Sequence, residues 1–478
     1  MTAAAARRIV IIGGGFAGSL LALRLAGTSA ISPILIETGA QAGPGLAYGA
    51  AETVHALNVP VNRMEVGLEP GFQSWLGAFA SETAEAIAEA GDLAQAFVSR
   101  RLFGRYMAER VEAAVATGAV RRVHGEAVGL RQVRGAYEVE LSRGERLEAD
   151  AVVLATGNLP PRAPNVKSPD GRELGSARAF ICDPWARGAL AAVRDDAPVL
   201  LLGSGLTSVD VALALLARGH KADIHIVSRH GLLPRVHVSG GAWPSFSEDA
   251  IGRSPLQLLK LFRTQAAAAR RHGVPWQRVI DAARPDIARM WSAWDEKARG
   301  RFLRHGRTLW DVHRHRMPAR VASRFIDLLE GGQLQCHAGR LMGFKMDGKG
   351  LHVAICPRRS REGRDILVDH VINCTGPAGT YAEVDTPLYV DLLRQGLIRP
   401  DRLHIGLETV DTRIVGEDGQ TAPGLYALGG LTRPAWWEIT AVPDIQAQVS
   451  RLAARLLEPD PRDRNPMDAV ARKLASNA

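Results

Sequence analysis

The sequence predicts an α/β fold made of two three-layer units, each on a parallel sheet, with a mostly helical insertion. Three observations lead there. Residues 9–18 read IVIIGGGFAG, an apolar strand running into a glycine turn and a helix. Residues 199–210 repeat the arrangement as VLLLGSGLTSVD. Between 240 and 330 strand patterns vanish, and five of the nine tryptophans appear. At 478 residues the chain is too long for one ordinary core.

The first strand is Ile9–Ile12, apolar throughout and so buried on both faces. Gly13, Gly15 and Gly18 then fill a GxGxxG pattern. In a Rossmann-like unit Gly13 permits the tight turn. Gly15 lets a pyrophosphate approach the backbone, and Gly18 lets helix and strand pack closely. The helix opening at Phe16 and Ala17 points its amides and dipole at the phosphates. A second strand, Pro33–Ile36, ends at Glu37, a carboxylate suited to ribose hydroxyls.

The second turn carries Gly203, Gly205 and Ser208, with serine in the third place. Its helix spans Leu206–Arg218, and the next strand, Ala222–Val227, ends in Ser228 and Arg229 rather than an acid. An acid there repels a 2′-phosphate, whereas serine and arginine bind one. This site is therefore read as holding NADPH, with NADH as the alternative, and the first as holding FAD. An ordinary loop arginine is the competing reading of Arg229.

Two further strands close the units. Ala151–Ala155 ends in Thr156-Gly157, and Val371–Asn373 ends in Cys374-Thr375-Gly376. Residues 424–430, ending in Gly430, read as the last strand of the first unit. A helix starting near Pro443 follows, its N-terminus directed at the flavin. The expected organisation is an FAD-binding part at 1–160 and an NAD(P)H-binding part at 195–376 holding the helical insertion at about 240–330. The FAD-binding part returns at 377–457, and a peripheral tail spans 458–478.

Composition narrows the partners. Net charge is +9, but Lys and Arg are interleaved with Asp and Glu, so no nucleic-acid partner is expected. The four cysteines form no CxxC pair, which argues against a disulfide framework and a metal site. Arg7 and Arg8 before an apolar run imitate a signal peptide, but glycines interrupt it. No run is long enough for membrane insertion, so the protein is read as cytoplasmic.

Beyond the glycine turns, several segments carry a resemblance. They are GLAYG at 45–49, HALNVPVNRM at 55–64, FGRYM at 103–107, SRHGLLP at 228–234, LWDVHRHRMP at 309–318 and WWEITAVPDIQAQ at 436–448. With them the chain resembles FAD/NAD(P)-binding flavoproteins that include an FAD-dependent urate hydroxylase and the nitrosuccinate synthases. The resemblance implies FAD at Gly13, Gly15, Gly18 and Glu37, and a reduced nicotinamide at the second turn. The chain departs from the glutathione reductase layout: it has no CxxxxC pair, and Gly430 stands where those enzymes usually have an aspartate.

The expected activity is that of a single-component monooxygenase of the C4a-hydroperoxide type. Its substrates are molecular oxygen and a small, anionic, nitrogen-containing compound such as urate or an amino acid. His313, Arg314, His315 and Arg316 are candidates to grip that anion, a solvated basic helix face being the rival reading. His55, Asn58 and Trp437 are candidates to line the flavin. Two alternatives stay open: an NADPH oxidoreductase passing electrons to a quinone or protein, and a non-enzymatic flavin-binding redox sensor.

Overall fold

The computed structural model describes residues 6–458, apart from positions 349 and 361. The expected tail, beyond Glu458, lies outside the described residues. The strands in chain order are β1 (Arg7–Ile12), β2 (Ile31–Glu37), β3 (Arg121–His124), β4 (Ala127–Val133), β5 (Ala136–Leu141), β6 (Arg146–Ala149) and β7 (Ala151–Leu154). Then come β8 (Phe180–Ile181), β9 (Val199–Leu202), β10 (Ile224–Ser228), β11 (Leu334–Asp347), β12 (Gly350–Pro357), β13 (Arg364–Val368) and β14 (His370–Asn373). The last are β15 (Thr409–Val410), β16 (Arg413–Val415) and β17 (Thr421–Ala427).

They form two seven-stranded sheets, ordered β15-β16-β17-β7-β1-β2-β3 and β13-β12-β11-β10-β9-β14-β8, and a three-stranded sheet β4-β5-β6. In the first sheet β1 pairs in parallel with β2 and β7, and β17 pairs in parallel with β7. The C-terminal strands thus complete the sheet that the N-terminal strands begin.

Alternation along β1 explains the layers. Ile9 and Ile11 face a core with Leu20 and Leu21 of the helix Phe16–Leu25 and Val449 and Leu452 of the helix Val442–Leu457. Val10 and Ile12 face the other way, onto Leu130 and Val139 of the three-stranded sheet and Leu388 and Leu392 of the helix Pro387–Arg394. Each such fully buried aliphatic side chain contributes about 1.5–3 kcal/mol. The second sheet repeats this. Leu201 packs on Val209 and Phe325, and Leu200 on Phe344 and Val353.

Two features were not foreseen from the sequence. Antiparallel hairpins, β4-β5-β6 and β11-β12-β13, supply one layer to each unit. Phe180–Ile181 adds an edge strand to the second sheet, so that sheet starts before residue 195. The insertion holds the helices Pro255–Arg271 and Ala319–Glu330 and several short ones between them. Trp291, 2% exposed, donates its indole N–H to Pro434 O at 2.7 Å, tying the insertion to the C-terminal return.

Candidate cofactor and substrate cleft

Both glycine turns open onto one cleft of about 1690 Å³. From the first turn Gly13, Gly15, Phe16 and Ala17 line it, with Glu37, Thr156, Gly157 and Gly430. From the second come Gly203, Gly205, Ser228 and Arg229, with Thr375 and Gly376.

The glycines divide by physical cause. Gly13 and Gly203 have φ of +109° and +112°, and a Cβ on them would meet Ala155 O at 2.4 Å and Cys374 O at 2.6 Å. The fold itself therefore requires glycine at both. At Gly15 a Cβ would touch only Gly45 Cα, at an ordinary 3.6 Å, and at Gly205 it would meet nothing within 4 Å. Their backbones are extended, with φ/ψ of −70°/−174° and −85°/−169°. Nothing in the protein demands glycine there, and a Cβ would project into the cleft at a helix N-terminus. That is where a dinucleotide pyrophosphate approaches the backbone, so both cradles fit one.

Glu37 Oε2 accepts the Gly14 amide at 2.8 Å, and Oε1 accepts the Gly39 amide at 2.6 Å. These bonds fix the carboxylate on the cleft wall, and Oε2 retains capacity for another donor. At the second cradle the hydroxyls of Ser204 and Ser228 share a hydrogen bond of 2.8 Å. Arg229 and Arg340 line the cleft there, both exposed. Burial, then the charges of Arg358, Arg229 and Arg340, hold the His230 imidazole below its usual range. Arg229 and Arg340 thus bring positive charge to the wall that holds Ser228, with Arg358 near enough to act on His230, a field that favours an added phosphate. Arg340 and Arg358 escaped the sequence reading because β11 and β12 bring them in from more than a hundred residues away.

Several expected site residues stand elsewhere. The cleft-facing side of the helix Arg307–Arg314 presents Arg307, Asp311 and Arg314, spaced by four and three residues, with His315 just beyond. His313 falls off that face; its Nδ1 meets Leu309 O at 2.7 Å and its ring packs on Trp276. Arg316 is 3% exposed and held by Asp281, away from the cleft. His55 is 3% exposed, and its Nε2 lies 3.1 Å from Asp210 O. It joins the two units and does not line the cleft. Asn58 does line the cleft, and its carbonyl accepts from His237. Trp437 is buried and stacks on Trp291 at 4.9 Å. Ser208 is fully buried, with its hydroxyl turned to Gly205 O. Gly18 lies behind the wall, where a Cβ would sit 2.0 Å from Gly13 O, so its part is close packing.

Residues that the sequence did not single out complete the wall. Asn158 lies over Gly430, where a Cβ would strike its Oδ1 at 2.1 Å. Arg307, Asp311, Arg314, His315 and Arg433 form a charged section next to Thr440 and Val442, at the start of the last helix. Burial raises the Asp311 carboxyl and lowers His315, so His315 is neutral near pH 7. Gln448, buried in that helix, accepts the Gly429 amide and donates to Thr432, which anchors the loop at Gly430.

Among the described residues no helix is long and apolar enough to cross a membrane, and no group of three or more His, Cys, Asp or Glu could hold a metal. The four cysteines are free.

Comparison with known proteins agrees with this geometry. Residues 10–159 match a family model described as FAD-NAD(P)-binding. No curated protein matches the chain. Among solved structures, the ornithine N-hydroxylase of Kutzneria sp. 744 is similar with a TM-score of 0.62 at 16% identity, covering 95% of this chain and 100% of that one. L-lysine 6-monooxygenase from Pseudomonas syringae gives 0.63 at 16%, with 95% and 100% covered. The cadaverine monooxygenase of desferrioxamine biosynthesis from Erwinia amylovora gives 0.65 at 12%, with 96% and 97% covered. The likeness in fold thus runs to amine and amino-acid monooxygenases, and not specifically to a urate hydroxylase or a nitrosuccinate synthase. Residues 10–159 thus resemble an FAD-NAD(P)-binding segment, and nearly the whole chain shares the α/β fold of these solved monooxygenases.

Proposed function

We propose that the protein is an FAD-dependent, NADPH-consuming monooxygenase that hydroxylates a small, anionic, nitrogen-containing substrate such as an amino acid or urate. The observation that carries this is the shared cleft: two nucleotide cradles and a charged section without glycine turns open onto one space. In this reading Gly15, Glu37, Thr156 and Asn158 would hold FAD, and Gly205, Ser228 and Arg229 would hold NADPH; all line the cleft. FAD held there would supply the redox chemistry of hydride acceptance and oxygen activation.

The chain's own part is binding, orientation and exclusion of water. The helical insertion lays Arg307, Asp311 and Arg314 along the wall, and Trp310 donates to Glu438 Oε1 at 2.6 Å to hold that wall to the C-terminal return. A carboxyl lifted by burial, Asp311, is suited to take a proton from an ammonium group, which must be neutral to act as a nucleophile. The test is anaerobic addition of NADPH to the FAD-loaded protein, followed by oxygen and a panel of amino acids, purines and aromatic acids. Bleaching followed by an oxygenated product supports the reading. Bleaching with electrons passed to a quinone and no oxygenated product favours the electron-transfer alternative. No bleaching favours the redox sensor.

A further inference from the structure

The charged section of the cleft does not balance. Four guanidinium groups stand along or behind it: Arg307, Arg314 and Arg433 line the cleft, and Arg284 lies behind them. Three carboxylates answer them: Asp311, Glu438 and Asp444. Arg284 takes Asp444 at 3.1 Å, Arg314 takes Glu438 at 3.2 Å, and Arg307 takes Asp311 at 3.4 Å. With His315 neutral, four cations against three anions leave one positive charge over. Arg433 is the group without an ion pair among the described residues. Its Nε is enclosed and finds no acceptor, while the residue lines the cleft.

Its setting is prepared. The guanidinium lies over the Trp437 ring, 4.5 Å from the centroid, and Trp437 is fixed by stacking on Trp291. Burial, then the charge of Arg307, pushes Arg433 down to about 10, which leaves it cationic at neutral pH. A desolvated guanidinium is a planar fork of donors that can receive a carboxylate in two parallel hydrogen bonds. An uncompensated cation in such a place is costly until an anion arrives, so the ligand that completes this wall is negatively charged.

We propose that Arg433, held over the Trp437 ring, is the anchor for a carboxylate of the substrate and sets the preference of the cleft for small carboxylates over the matching amides. This rests on the proposed function above. Asp311 stands near enough to interact with Arg433 electrostatically, so the site offers a cation for the carboxylate and an anion for a nearby ammonium.

The experiment is calorimetric titration of the FAD-loaded protein with succinate against succinamide and L-aspartate against L-asparagine. It is repeated on Arg433→Lys and Arg433→Ala, with flavin content and NADPH-driven bleaching recorded first. At least one carboxylate binds wild type more tightly than its amide. Arg433→Ala weakens that carboxylate at least ~30-fold and the amide little. Arg433→Lys recovers only part, because a point charge lacks the bidentate edge. Flavin content stays as in wild type. Equal binding of carboxylate and amide, or unchanged carboxylate binding in Arg433→Ala, overturns the proposal. Loss of flavin or slower bleaching in Arg433→Ala with carboxylate binding intact gives Arg433 to the cofactor and also overturns it. Failure of the proposed function shows separately, as absence of bleaching in wild type before any carboxylate is added.

Discussion

Replacing Gly15 and Gly13 by alanine separates a glycine required by a ligand from one required by the fold. At Gly15 the new Cβ meets no protein atom closer than 3.6 Å, and the backbone is in the extended region. Alanine is a poorer helix N-cap than glycine by roughly 0.5–1 kcal/mol, while the stiffer unfolded chain returns about 0.4–1 kcal/mol. The stability of the FAD-free protein should therefore change by less than about 1 kcal/mol. At Gly13 the φ of +109° and a contact of 2.4 Å to Ala155 O must both be relieved. Strain of this kind alone costs about 1–3 kcal/mol, so Gly13→Ala should lose at least ~3 kcal/mol. Affinity for FAD should behave differently. The Gly15 methyl holds the pyrophosphate off the amides, and each charge-assisted hydrogen bond lost is worth about 1.5–3 kcal/mol. Urea unfolding of both FAD-free variants, with flavin fluorescence titration, gives the two quantities. Gly15→Ala should bind FAD at least ~10-fold more weakly at near-normal stability. Wild-type FAD affinity in Gly15→Ala, or instability matching Gly13→Ala, would refute the argument that the ligand sets that glycine.

Arg229→Ala should weaken NADPH about tenfold and leave NADH within about twofold, since only NADPH carries the 2′-phosphate; equal losses in a paired titration would remove that assignment. Asp210 and Arg100 form a largely buried pair at 2.8 Å between the two units. Asp210→Ala leaves the guanidinium without its counter-ion and should cost about 3 kcal/mol in urea unfolding, and a loss under about 1 kcal/mol would count against it. His237 faces Arg316, Asp281 and Arg278, and its Nε2 lies 3.1 Å from Asn58 O. Burial, then the charge of Arg316, pushes its pKa down to about 4 from 6.5. The unfolded chain binds this proton more readily than the folded one. Stability from keeping His237 neutral is thus full above about pH 6.5 and falls away toward about pH 4, by up to about 3 kcal/mol. His237→Gln should lose less stability than wild type between about pH 7 and about pH 5 by chemical unfolding, and an unchanged pH slope would exclude His237 as the source.

How much was legible follows from how local each signal is. Strand, turn and helix at 9–25 and 199–217 are written in contiguous residues, because a tight turn with φ above +100° at Gly13 and Gly203 admits little but glycine. The place of Ser228 and Arg229 on the cleft was legible because both sit at the end of one strand beside the second turn. The substrate wall was not. His313 and Arg314 are adjacent in sequence, but a helix turns them 100° apart, so one reaches the cleft and the other packs on Trp276. A basic run cannot say which of its members already has a counter-ion, and Asp281, which occupies Arg316, lies 35 residues away. Arg433 sits outside any basic cluster, so only the three-dimensional charge balance singles it out. The hairpins β4–β6 and β11–β13 were missed although they carry turn signals of their own, Arg134-Gly135 and Asp347-Gly348, because those signals lie between the stronger patterns of the glycine cradles.

The cradles share a cleft because of how residues 55–58 are held. Leu57 belongs to the core of the first unit, with Leu20 and Tyr106, while its neighbour Ala56 belongs to the core of the second, with Val209 and Phe325. His55 reaches Asp210 O on the helix of the second glycine turn, and the Asn58 carbonyl accepts from His237. Arg100 closes the same joint, donating to Ala56 O at 3.0 Å while paired with Asp210. A segment whose adjacent residues are buried in two different cores cannot slide without emptying one of them, and a vacated apolar site costs on the order of 2–5 kcal/mol. Asn58, the next residue but one after Ala56, already faces the cleft. The joint between the units and the wall of the site are therefore one stretch of chain, so the orientation of the second cradle toward the first follows from packing at that stretch and needs no ligand to create it.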